Sequence, residues 1–64
     1  MKRRDFITYL RSQGCRFLRE GSNHSIFFNP VNDKTSTMPR HNEIEPPLVR
    51  KICKDLKIIP VVKK

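Results

Sequence analysis

The chain predicts an α+β fold of order α-β-β-β-α, a three-stranded antiparallel sheet with two helices on one face. Three observations carry that expectation. Both ends hold runs whose apolar residues recur at helical spacing. Between them lie three short segments of strand composition. Turn residues punctuate the junctions, with Gly14, Gly21-Ser22, Asn29-Pro30 and Pro39 dividing the segments.

Residues 4–13 read as the first helix. Phe6, Ile7 and Leu10 fall on one side, Asp5 sits in the first turn where it suits the helix dipole, and Gly14 is a suitable residue to end it. Residues 15–20 read as a strand in which Cys15, Phe17 and Arg19 alternate with Arg16, Leu18 and Glu20. Residues 24–29 form a second strand, and the short Gly21-Ser22 bend between the two makes them a hairpin. Asn29 to Lys34 is turn chemistry. Residues 35–38 are a third strand, whose threonines suit an exposed or edge position and which Pro39 ends. Residues 40–44 read as a polar connection. Glu45-Pro46-Pro47 opens the second helix, where proline is tolerated, and Leu48, Val49, Ile52, Cys53 and Leu56 make its apolar stripe. Pro60 stops any extension. A single domain is expected, with its core in residues 4–58 and a flexible tail at 59–64. Double-stranded-RNA-binding domains share this order and layering, a likeness of topology that does not by itself set function.

Charge narrows the choice of partner. Fourteen Lys and Arg against six Asp and Glu give +8 on 64 residues. That density favours a polyanion, most often nucleic acid, although solubility alone would also account for it. The basic residues cluster towards the two ends, and only Lys34 and Arg40 lie between. Two isolated cysteines, Cys15 and Cys53, fit neither a disulfide framework nor a zinc site and read as small apolar residues. No segment approaches the ~20 apolar residues needed to span a bilayer. No apolar run follows the basic start, so a signal peptide is not expected, and the cytoplasm is.

Few catalytic constellations fit so short a chain. It has two glycines, and no phosphate-cradling loop or nucleophile elbow. Glu43 and Glu45 flank Ile44 just before a helix, where capping and solvation explain them. His41 reads as solvent-facing. The informative run is Gly21-Ser22-Asn23-His24. A histidine at the start of a strand is held on firm backbone yet stays near the surface, and an imidazole titrates near ~6.5. RNA carries its own nucleophile, the 2′-hydroxyl, so one positioned base or acid suffices to promote cleavage without a metal, contributing about 10²–10⁴-fold. Gly21 would let phosphate approach, and Ser22 and Asn23 would bond phosphate or sugar. Arg19, Lys34 and Arg40 are candidates to hold flanking phosphates. Phe17, Phe27 and Phe28 are either core or base-stacking platforms; alternation puts Phe27 and Phe28 on opposite faces. Residue chemistry alone leaves His24 open as a bystander or a proton-transfer group.

The run Arg19-Glu20-Gly21-Ser22-Asn23-His24, followed by Ile26-Phe27 and Asn29-Pro30, resembles the G-S-x-H hairpin of the HicA family. Thr37-Met38-Pro39-Arg40-His41 is similar to that family's T-V-P-x-H strand end. The run from Leu48 to Leu56 resembles its closing helix, and a first helix ending at Gly14 also fits. The likeness covers residues 4–58. It implies the toxin of a toxin–antitoxin pair, an endoribonuclease that binds and cleaves mRNA and arrests translation. It also implies a HicB-type antitoxin partner, and it maps the family's functional histidine onto His24. Asn23 stands where many members carry a first histidine. No cofactor, metal or membrane partner is expected. The competing readings are a non-catalytic RNA-binding module and a protein-interaction domain whose charge serves solubility.

Overall fold

Helix α1 (Arg3–Ser12) leads into strands β1 (Arg16–Glu20), β2 (His24–Asn29) and β3 (Lys34–Pro39), and helix α2 (Pro46–Asp55) follows. The structure is a computed structural model and describes residues 1–61. The sheet is antiparallel in the order β1-β2-β3, so the expected α-β-β-β-α layout is the one observed. The boundaries read from sequence hold to within a residue or two.

Both helices end in the same way, and the sequence explains why. After α1, Gly14 takes a φ of 88°. The Gly14 N–H then donates to the Arg11 carbonyl at 3.0 Å, and the Cys15 N–H to the Leu10 carbonyl at 2.9 Å. This is the paired Schellman closure, and it brings the buried Cys15 against the buried Leu10. After α2 the same two bonds form, from Lys57 to the Lys54 carbonyl at 3.1 Å and from Ile58 to the Cys53 carbonyl at 3.0 Å. Here a lysine, with φ 58°, occupies the left-handed position.

Burial alternates along β2 and, from Thr35 onward, along β3. Ser25, Phe27, Asn29, Ser36 and Met38 are buried, and they face the helices. Phe6 and Leu10 of α1 and Val49, Ile52, Cys53 and Leu56 of α2 close the core over Phe27 and Met38. The buried polar residues on this side are tied to the helices. The Asn29 amide donates to the Leu56 carbonyl at 2.9 Å, at the C-terminal end of α2, and Ser36 donates to Asp55 at 3.0 Å. His24, Ile26, Phe28, Thr35, Thr37 and Pro39 occupy the alternate positions, on the face without helices.

Two features depart from the sequence reading. β1 carries a bulge: Phe17 pairs with Phe27, and the next pair is Arg19 with Ile26. Leu18 and Arg19 together therefore oppose one residue, which moves Arg19 to the open face and turns Glu20 towards Ser25. The simple alternation that grouped Arg19 with Phe17 does not hold. Within the connection read as polar, Ile44 is fully buried. Its N–H donates to the Met1 carbonyl, and the Arg3 N–H to the Asn42 carbonyl, both at 2.8 Å, so the chain start is zipped to the entry of α2. Of the expected tail, residues 62–64 lie outside the described ones. Ile59 accepts a bond from the Tyr9 hydroxyl, and Val61 packs on the core. Among the described residues, no helix is long and apolar enough to cross a membrane.

Candidate active site

The β1–β2 hairpin is built around one short bond. The Gly21 N–H donates to the His24 carbonyl at 2.6 Å, closing a bend over Ser22 and Asn23. Gly21 leaves room there: a Cβ would stand 3.2 Å from that same carbonyl oxygen, a tight contact to which the bend would have to yield. His24 then opens β2, paired with Pro39 of β3, and its side chain is exposed. Ser22 and Asn23 at the tip are exposed as well.

Beneath the hairpin, on the helix side, lies a polar network that the sequence reading missed. Ser25, 1% exposed, donates to the Glu20 carboxylate, 3.1 Å from each oxygen, and accepts from the Arg3 guanidinium at 2.7 Å. Arg3 also donates to the Pro39 carbonyl at 3.2 Å. Arg40 donates to Glu20 at 3.1 Å and to the Gly21 carbonyl at 2.9 Å. Two arginines, one serine and one carboxylate thus tie α1, the end of β1, the hairpin bend and the end of β3 together beside His24. One signal was available: a serine at an inward-facing strand position, between His24 and Ile26, must find buried partners. Nothing local in the sequence names them.

The predicted site residues are only partly brought together. Gly21, Ser22, Asn23 and His24 form the hairpin, and Arg19 lies on the same open face two rungs away, opposite Ile26. Arg40 is adjacent, but its guanidinium is engaged with Glu20 and Gly21. Lys34 pairs with Asn29 at the far end of the sheet, about 17 Å from His24 at ordinary strand rise. His41 is exposed and lines a shallow pocket with Pro39, Asn42, Glu43, Glu45 and Leu48. Both cysteines are free and buried. Burial pushes the Cys53 thiol up, and burial together with Cys53 does the same for Cys15, so neither is a ready nucleophile.

The geometry offers one exposed imidazole on an ordered strand end, with guanidinium groups on either side of the sheet. That arrangement is able to move a proton at a bound phosphodiester. Comparison with known proteins agrees in kind. A family described as HicA toxin of bacterial toxin–antitoxin matches residues 3–58. The chain is 43% identical over 56 residues to "Probable mRNA interferase HicA 2" of Photorhabdus laumondii, which covers 84% of this chain and 91% of that protein. No solved structure matches.

Proposed function

The chain belongs to the HicA toxin family, and on that premise we propose that it is an endoribonuclease that cleaves mRNA with His24 as the proton-transfer residue. The observation that carries the reading is the exposure of His24 at the first position of β2, directly after the bend closed by Gly21. The backbone there is held by ladder bonds and by the Arg3–Ser25–Glu20–Arg40 network. Backbone so held fixes the point from which the imidazole reaches a bound phosphate, which reduces the ordering that a general base or acid needs.

In the reaction, a base takes the proton of the ribose 2′-hydroxyl as that oxygen attacks the neighbouring phosphorus. The bond to the 5′-oxygen breaks, and that oxygen receives a proton. His24 performs one of these two transfers. The products carry 2′,3′-cyclic phosphate and 5′-hydroxyl ends. RNA supplies its own nucleophile, so the reading needs no metal. Ser22, Asn23 and Arg19 contact phosphate or sugar, while Arg40 holds the bend. A HicB-type antitoxin neutralises the toxin by covering His24, and an acidic surface on it would complement the +8 charge.

Inducible expression of the parent chain beside His24→Ala tests this. The parent is expected to arrest growth and fragment transcripts, and the variant to do neither while still binding RNA. Equal cleavage by both would remove His24 from the chemistry. RNA binding without cleavage by the parent would leave a non-catalytic RNA-binding module.

A further inference from the structure

His24 does not stand alone on its face of the sheet. Three cross-strand rows share it: His24 with Pro39; Leu18 and Arg19 with Ile26 and Thr37; Arg16 with Phe28 and Thr35. Ile26 and Phe28 are only partly buried there, and Leu18 is 47% exposed. Among the described residues no helix covers these side chains, because α1 and α2 pack on the opposite face. Among the residues of these rows there is no carboxylate. Asp5, Asp33, Glu43, Glu45 and Asp55 lie on helices or loops, and Glu20 faces the helix side, paired with Arg40. The face therefore combines an apolar centre containing an aromatic ring, two arginines along one edge, and the imidazole at one end.

We propose that this open sheet face is the substrate platform, taking single-stranded RNA with an unpaired base stacked on Phe28 and the backbone along Arg16 and Arg19. The proposal rests on the ribonuclease reading and specifies its substrate class. An aromatic ring on a sheet face recognises a base by stacking, which a base inside a duplex does not permit. Arginines flanking such a ring serve the phosphates. His24 and Phe28 are separated by four residues of one strand, about 13 Å, so the stacked base belongs to a nucleotide flanking the cleaved linkage. RNA is favoured as occupant over another protein because the face carries arginines without carboxylates and runs directly into His24. A second basic surface exists on α1, where Lys2, Arg4 and Arg11 line a groove, but it lacks an aromatic ring and belongs to the helix layer.

The test measures binding of a labelled single-stranded RNA, and of the duplex of the same sequence, to the full chain carrying His24→Ala so that the RNA survives. Cleavage is measured in parallel with His24 intact. Adding Phe28→Ala should weaken single-strand binding about 5- to 150-fold, the range that stacking contributes per base. Phe28→Tyr should restore it and Phe28→Leu should not. Arg16→Ala and Arg19→Ala should each lower the salt dependence of binding by about one unit of slope. Circular dichroism checks the fold, and the Tyr variant decides the matter where Ala unfolds the chain. Unchanged single-strand binding in folded Phe28→Leu would overturn the platform, as would preferential duplex binding that depends on Arg4 and Arg11. The platform would fail equally if Phe28→Leu abolished antitoxin binding and left RNA affinity intact. In each of these cases cleavage by the parent keeps the toxin reading alive. A parent chain that neither binds nor cleaves RNA would end both.

Discussion

Asn29 is the side chain whose removal the structure prices most clearly. It is 4% exposed and makes two bonds in opposite directions. Its amide donates to the Leu56 carbonyl at 2.9 Å, and its oxygen accepts from the Val31 N–H at 3.0 Å. One bond closes the end of α2, and the other shapes the turn into β3. Asn29→Ala removes both, leaving Leu56 with the longer 3.3 Å bond from Asn32 and Val31 without its acceptor. Two hydrogen bonds at about 1 kcal/mol each, plus partial desolvation of the groups left behind, give a loss of about 2–3 kcal/mol. For a domain of this size that lowers Tm by roughly 10–20 °C. Asn29→Asp keeps the acceptor for Val31 but turns a carboxylate oxygen towards a carbonyl at a helix C-terminus, where negative charge is unfavourable. It should therefore be worse than Ala at neutral pH and recover as the carboxyl is protonated. Thermal unfolding followed by circular dichroism gives both numbers. A loss under 1 kcal/mol for Ala, or an Asp variant milder than Ala at pH 7, would refute the cap.

Other outcomes follow from single features. Lys57→Gly should raise stability by about 1 kcal/mol in the same melt, because it removes a side chain from a left-handed position. Gly21→Ala presses a methyl group on the His24 carbonyl, so RNA cleavage should fall about 10-fold or more while Tm drops by a few degrees. The Asp55 carboxyl is held below its usual 3.8 by hydrogen bonds from Lys51 and then Ser36. A carboxyl depressed in the folded state contributes stability above its unfolded value and loses it as pH falls through the folded value. Urea titrations of Asp55→Asn should accordingly show a shallower loss of stability below about pH 4 than the parent. Cleavage should survive dialysis against EDTA; loss that magnesium restores would contradict the metal-free reaction.

Much of the fold was readable because its signals are local. The stripes of α1 and α2, the glycine closing α1 and the turn residues around Asn29 depend on near neighbours. The exposed start of β2 was readable for the same reason. What escaped was set by pairing. The β1 bulge follows from how Phe17 and Arg19 meet β2, and no residue of β1 announces it. Ile44 is a single apolar residue among polar ones, and only its docking under the chain start reveals it as core. Arg3 reaches Ser25 across 22 positions, too far for any spacing rule. Lys34 was grouped with His24 by charge, whereas hairpin register sends it to the opposite end of the sheet.

The extra residue in β1 also guards the molecule against itself. β1 is an edge with an unpaired side, and it displays Phe17 and Leu18, each 47% exposed; a flat greasy border of that kind invites a second copy to add on. The kink breaks the ribbon's regular spacing and interrupts such growth. A chain lacking Leu18 would gain an even border yet keep Arg19 opposite Ile26 on the open face, so the deletion would surrender solubility while sparing the cationic rim.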